Sequence, residues 1–266
     1  MKPIAEKLFV VIDPFDVNHY ALQRAIITAG IRDYKPHINL FISAHNNFVD
    51  VEKETFSTVD FDKLKSVLIS ANIDYSYEFS WDRDVEKSVV NSAKRYGADL
   101  LIDTLDEDVL KRHKGLTRGT WELLRNSNCP VMLVKPGSSE KRRKILAAVN
   151  FQSPFPEYTE LNVKIIKRAK WLAKKYGAEL FIVNAYESMM DYPDHDKILK
   201  ESGLLYKNIY LKEGRPEHVV MSIADKISAD LVIIGTRNTH DVESRFRRNT
   251  AEKVLMKLNT DVIVIN

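Results

Sequence analysis

Short apolar runs recur along the chain, separated by stretches in which apolar residues return every three or four positions. The runs lie at residues 8–12, 38–44, 75–80, 99–104 and 130–135, then at 145–150, 179–185, 208–213, 230–235 and 261–266. Continuous runs of this length predict strands buried on both faces. Between them, Ala21, Leu22, Ala25, Ile26 and Ala29 mark one face of a helix ending at Gly30, and Val85, Val89, Ala93 and Tyr96 one ending at Gly97. Leu161, Ile165, Ala169, Leu172, Ala173 and Tyr176 predict a third before Gly177, and Val219, Val220, Ile223, Ala224 and Ile227 a fourth. Glycine just past a periodic stretch is a helix stop. Alternating strands and helices imply parallel sheets with helices on both faces.

The pattern is two copies of one unit. Asp99-Leu100-Leu101-Ile102 matches Asp230-Leu231-Val232-Ile233 at an offset of 131, as does Val131-Met132-Leu133-Val134 with Val262-Ile263-Val264-Ile265. The opening strands, Leu8 to Asp13 and Ile145 to Asn150, match at 137. Three matches in one order at nearly one offset indicate duplication. The expected organisation is a first domain over 1–136, a linker over 137–144 and a second domain over 145–266. The segment from Gly137 to Lys144 is charged and has no large apolar side chain, so it reads as a solvated linker.

Composition narrows the function classes. The 40 basic and 37 acidic residues among 266 leave a net charge of +3, too small for a nucleic-acid footprint. No apolar run approaches the roughly 20 residues of a membrane helix. The start, Met1 to Lys7, has no apolar core or cleavage pattern, so no secretory leader is expected. Cys129 is the only cysteine. Internal disulfides, Fe–S clusters and zinc ribbons are therefore excluded, and a reducing cytoplasm is the expected location.

In parallel sheets, ligands bind beyond the carboxyl ends of the strands at the point where strand order reverses. Those ends are Asp13, Asn150, Asp103-Thr104 and Gly235-Thr236. There the sequence resembles the universal stress protein family, in its tandem form. The resemblance rests on Val11-Ile12-Asp13-Pro14, Val131 to Pro136, Ala147-Ala148-Val149-Asn150, Glu213-Gly214-Arg215-Pro216-Glu217, and Ile234-Gly235-Thr236 followed by Asn249-Thr250-Ala251-Glu252-Lys253-Val254. It covers nearly the whole chain. It implies an α/β fold of two doubly wound domains, each a five-stranded parallel sheet flanked by helices, of the adenine-nucleotide alpha-hydrolase-like type. It also implies a cytoplasmic stress-response role and an intramolecular pair of domains packed through their last strands. Some members of the family bind ATP and others do not.

The ATP-binding members have an acid at the end of the first strand and a loop of form G-x2-G-x9-G-[ST]. Glycines there let backbone N–H groups and a helix N-terminus approach phosphate. By that resemblance the second copy offers Asn150, Gly235, Thr236, Asn238, Arg248, Asn249 and Thr250. Asn238 tolerates a left-handed backbone. Arg248 adds bulk but also a charge that pairs with phosphate, and Asn150 replaces the acid. ATP is the candidate ligand of this copy, or else another phosphorylated small molecule. Four guanidiniums, Arg237, Arg245, Arg247 and Arg248, form either an anion cradle or a solvated basic face balanced by Asp241 and Glu243. The first copy keeps Asp13, but its loop begins Asp103-Thr104-Leu105-Asp106-Glu107-Asp108. Acids there repel phosphate, so this site reads as vestigial.

Other chemistry is sparse. The seven histidines form no zinc pattern. Asp191, Asp194, His195 and Asp196 form a polar insertion that reads either as a metal or ligand loop or as a mobile loop. Nucleophile elbows, P-loops and Rossmann fingerprints do not occur. Asp82 or Asp84, and Pro216, suit helix starts. The expectation is a non-catalytic stress-response protein with a degenerate nucleotide site, no metal, no specific nucleic acid, no membrane insertion, unnamed protein partners and a possible homodimer. The rival readings are a sensor of ATP or another phosphorylated ligand in the second domain, a weak ATP hydrolase, and a binder of an apolar or lipid-like ligand between the domains, lined by Met189, Met190, Leu199, Leu204 and Leu205.

Overall fold

The computed structural model describes residues 5–13, 18–43, 58–105, 116–236 and 250–266, with backbone only for 58–60 and 250. The chain forms two compact units, 1–106 with 117–136, and 107–116 with 137–266. In unit 1 the strands are β1 (Lys7–Ile12), β2 (His37–Ser43), β3 (Tyr75–Ser80), β4 (Leu100–Thr104) and β5 (Val131–Val134). Its described helices are α1 (Tyr20–Gly30), α2 (Thr58–Ser70), α3 (Val85–Tyr96) and α4 (Arg118–Asn126). All four pairings are parallel, and the order is β3-β2-β1-β4-β5. The chain steps outward from β1 to β3, then crosses to the other side of β1 for β4. That reversal leaves a crevice at the carboxyl ends of β1 and β4.

Unit 2 repeats the plan. Its strands are β6 (Lys144–Val149), β7 (Glu179–Tyr186), β8 (Ile209–Glu213), β9 (Leu231–Gly235) and β10 (Asp261–Ile265). Its helices are α5 (Pro156–Tyr176), α6 (His195–Ser202), α7 (Pro216–Ile227) and α8 (Thr250–Lys257). The parallel order β8-β7-β6-β9-β10 puts the reversal between β6 and β9. The α/β, doubly wound architecture is the one expected.

The central strands are buried on both faces: Leu8, Phe9, Val10, Leu100, Leu101 and Ile102 are fully buried, as are Ile145, Leu146, Ala147 and Leu231 to Ile233. The outer strands depart from the sequence reading. β3 and β8 are only part-buried, with Tyr77 and Phe79 substantially exposed, because a terminal strand has a neighbour on one side only. Helix ends follow local rules. Gly97 and Gly177 close α3 and α5 in the left-handed conformation, at φ 73 and 62, where a side chain costs energy. Gly30 instead is the last helical residue of α1, with Ile31 as its cap. Asp84 caps α3 by accepting from Lys87 N at 3.2 Å, and Pro216 opens α7.

The segment 137–144 is largely exposed, with one exception. Lys141 and Arg143 are exposed, but the Arg142 side chain is fully buried and Nη2 donates to Asp261 Oδ2 at 2.6 Å. Ser138 Oγ donates to Asp261 Oδ1 at 2.6 Å, and the Arg143 and Lys144 amides donate to Asp230 Oδ2 at 2.8 and 3.0 Å. The buried arginine fastens the entry of β6 to the start of β10, and the two amides after it fasten that entry to the start of β9. A charge run hides such a residue because its neighbours are solvated.

Candidate functional site

In unit 1 the crevice is acidic. Asp13 follows β1 and is exposed, while Asp103 near the end of β4 is half-buried. Burial pushes the Asp103 carboxyl up to about 7. The Thr104 amide, donating to Oδ1 at 2.8 Å, opposes that rise, whereas Glu86 and Asp13 add to it. Glu86 lies in the first turn of α3, and its carboxylate rests on Gly119 in the first turn of α4, where an added Cβ would overlap it. A carboxylate therefore occupies the positive end of a helix, the position an anionic ligand would take. Thr117 caps the same helix, its Oγ1 accepting from Thr120 N at 3.0 Å. Thr104 Oγ1 in turn accepts from Ala21 N at 3.2 Å, in the first turn of α1. The crevice's helix starts are thus served from within the fold.

In unit 2 the place of Asp13 is taken by Asn150 and that of Asp103 by Ile234. Asn150 N donates to Asn162 Oδ1 at 2.9 Å, and Asn162 Nδ2 donates back to Asn150 O at 2.8 Å. Asn150 Oδ1 accepts from Ser153 N at 3.2 Å, tightening its own turn. Asn184 near the end of β7 is fully buried; Oδ1 accepts from Phe151 N at 2.8 Å and Nδ2 donates to Gln152 Oε1 at 2.6 Å. Gln152 Nε2 donates to Ala185 O at 2.7 Å. These four amides hold the loop after β6 in place, and a satisfied buried network of this kind is rigid.

Gly235 ends β9 under α5. A Cβ there would lie 2.5 Å from Leu161 Cδ2, 2.8 Å from Leu161 Cγ and 3.0 Å from Ile165 Cδ1. Close helix–strand packing alone therefore requires glycine at this position. Thr236 is buried, and its amide donates to Ile265 O at 2.9 Å. Asn238, Arg248 and Asn249 lie outside the described residues, as do Arg237, Arg245 and Arg247. Thr250 begins α8.

Sequence reasoning missed a glutamate in each copy. Glu217 in α7 is the counterpart of Glu86 at an offset of 131. It is buried, and its Oε1 accepts from Lys253 Nζ in α8 at 2.7 Å. Burial pushes its carboxyl up, but the Lys253 hydrogen bond and charge outweigh that and leave it below the usual carboxylate range. The available signal was its repetition in the first turn of the same helix in both copies. In the polar insertion, Asp194 caps α6, accepting from Lys197 N at 3.0 Å, and the His195 ring packs at a tilt against Tyr206, with centroids 4.2 Å apart. The segment is thus a capped helix with 3-10 turns beside it, not a mobile loop. No three His, Cys, Asp or Glu side chains among the described residues are placed to hold a metal ion.

The universal stress protein family model matches residues 141–266. Universal stress protein E of Escherichia coli K12 is 24% identical over 296 aligned positions, spanning 98% of this chain and 93% of that protein. Residues 141–266 form a universal stress protein domain. The chain is a tandem protein similar over nearly its whole length to universal stress protein E. The Haemophilus influenzae homolog of universal stress protein E is 23% identical, over 98% of this chain and 97% of that protein. A universal stress protein structure from Archaeoglobus fulgidus shares the fold, with a TM-score of 0.66 and 14% identity over 97% of this chain and 96% of that one. Universal stress proteins of this tandem kind have a stress-response role. Among the described residues no helix is long and apolar enough to cross a membrane.

Proposed function

We propose that this tandem universal stress protein acts without catalysis in the cytoplasm, and that its nucleotide site is degenerate. The observation that carries this reading is the carboxylate of Glu86 resting on the start of α4 in unit 1. In unit 1, Glu86 lies over the start of α4 beside Asp13 and Asp103, so a triphosphate would meet like charge where it needs donors. In unit 2, Asn150 turns its side-chain oxygen to its own loop. Gly235 is fixed by packing against Leu161 and Ile165, so its presence supports no ligand by itself. Among the described residues, neither crevice combines an acid, a base and a phosphate cradle of the kind phosphoryl transfer requires.

A second reading, a sensor of ATP or another phosphorylated ligand in unit 2, draws on one contrast. Lys253 holds Glu217, so its charge is neutralised there rather than laid bare at a helix start as in unit 1. Native mass spectrometry of protein purified without added nucleotide, followed by titration with ATP–Mg and ADP, separates the two. The degenerate reading predicts the bare chain mass and no saturable binding at about 1 mM nucleotide, an affinity near 4 kcal/mol. Retained nucleotide, or saturable binding lost in Arg248→Ala, establishes the sensor instead.

A further inference from the structure

Unit 2 carries a pair of methionines that its core does not use. Of the chain's six methionines, Met132 in β5 is fully buried, and Met221 in α7 and Met256 in α8 are half-buried. Met189 is 69% exposed and Met190 97%. An exposure of 97% means that no part of the chain covers that side chain. The two open the short 3-10 turn Met189–Asp191 after β7. The turn is held by its backbone and by Ser188. Met190 N donates to Ser188 Oγ at 3.2 Å, Asp191 N to Ser188 O at 2.8 Å and Tyr192 N to Met189 O at 3.4 Å. Beyond it, the Tyr192 ring meets Tyr186 edge-on, with centroids 5.2 Å apart, and Asp194 caps α6.

We propose that Met189 and Met190 are a peroxide-modification site, converted to methionine sulfoxide in the folded protein without loss of the fold. Thioether oxidation needs the oxidant to reach sulfur, so exposure ranks the methionines. The sulfur lone pair attacks one oxygen of hydrogen peroxide. The S–O bond forms as the O–O bond breaks, and the second oxygen leaves as water, carrying both protons. Sulfur is oxidised by two electrons and the peroxide is reduced by two. Exposed Glu187 and Asp191 flank the pair and disfavour an anionic oxidant, so an uncharged peroxide is the co-reactant the site fits. The product exchanges two flexible apolar side chains for polar ones. In water that change displaces no packed neighbour, and the turn's hydrogen bonds, made by backbone and Ser188, are left intact. At Met132, which pairs with Ile102 in the sheet, the same oxygen would be a buried polar group in an apolar core, at a cost in stability. The pair thus confines mild oxidation to a surface where methionine sulfoxide reductases can reverse it.

Peptide mapping by mass spectrometry of the folded full chain during exposure to hydrogen peroxide tests this. The expected result is oxygen uptake at Met189 and Met190 at least about tenfold faster than at Met132, Met221 or Met256, with Met1 and Cys129 read on their own peptides. With both sulfoxides formed, the thermal midpoint stays within about 1 °C of its starting value, and methionine sulfoxide reductases remove both oxygens. The double variant Met189→Leu, Met190→Leu conserves volume; it loses the fast phase of methionine oxidation and keeps the wild-type midpoint. Oxidation of Met132, Met221 or Met256 at the rate of the pair overturns the proposal. So does a midpoint that falls in step with oxygen uptake at the pair, or a fast phase of methionine oxidation that survives in the double variant.

Discussion

One position separates the crevices of the two units. Glu86 and Glu217 open equivalent helices and face equivalent neighbours, α4 and α8. In unit 2 the facing helix carries Lys253, which takes Glu217 at 2.7 Å. The matching residue in unit 1 is Glu122, at an offset of 131, and it pairs with Arg118 on its own helix at 2.9 Å. With no cation facing it from α4, Glu86 lies on Gly119 at the start of that helix, beside Asp13 and Asp103. The same strand order and helix packing thus support one crevice with a neutralised carboxylate and one with three converging acids. Fold fixes where a ligand would sit; the facing charge sets only whether a carboxylate there is neutralised.

The largest expected effect tests what holds unit 2 together. Asp261 begins β10, whereas its unit 1 counterpart is the uncharged Pro130. Breaking a buried pair by removing one partner costs about 3–5 kcal/mol. Arg142→Ala is therefore expected to lower the urea midpoint by that stability, and a loss below about 1 kcal/mol would mean the pair is not what fastens the entry of β6.

Next comes the acid crevice. Asp103 has a folded value near 7 against an ordinary 3.8. Folding therefore favours its protonated form: the contribution is full below pH ~4, is lost as pH rises through about 7, and is flat above. At about 1.4 kcal/mol per pH unit, the loss reaches at most ~4 kcal/mol, less what partial exposure returns. Asp103→Asn is expected to flatten stability between pH 4 and 7 and to raise it at pH 8, read by denaturation at several pH values. An unchanged profile in the variant contradicts the acidic crowding.

The smallest effect compares two glycines. Gly235→Ala must displace Leu161 and Ile165 and is expected to cost about 1–3 kcal/mol. Gly119→Ala meets only the end of the flexible Glu86 side chain, and alanine in a helix gains up to about 1 kcal/mol, so its thermal midpoint should hold or rise. Equal losses at the two sites would erase the contrast between packing and carboxylate contact.

Much of this was legible in the sequence. The duplicated Asp-Leu-Leu-Ile and Asp-Leu-Val-Ile runs and the helical faces ending at Gly97 and Gly177 give the fold, because burial on both faces writes itself into apolar periodicity. The strand ends at Asp13, Asp103, Asn150 and Gly235 follow from topology. What surrounds them does not. Leu161 and Ile165 above Gly235 come from a helix some 70 residues earlier in the chain, so one glycine reads alike as a phosphate contact or a packing requirement. Glu86 gains its meaning only when α3 meets α4, and Arg142 looks like its solvated neighbours until Asp261 is brought to it. The aromatic alternation of β3 was visible, but its exposure depends on β3 being the outermost strand.

The central claim is that the acids of unit 1 close it to nucleotide. Its most direct test is isothermal titration of ATP–Mg into the Arg248→Ala variant, in which the candidate anion residue of unit 2 is gone, with Gly119→Val added to assign any remaining binding to unit 1. The account predicts no saturable heat up to about 1 mM ATP. Saturable binding with a submillimolar dissociation constant, weakened by Gly119→Val at the start of α4, would contradict it.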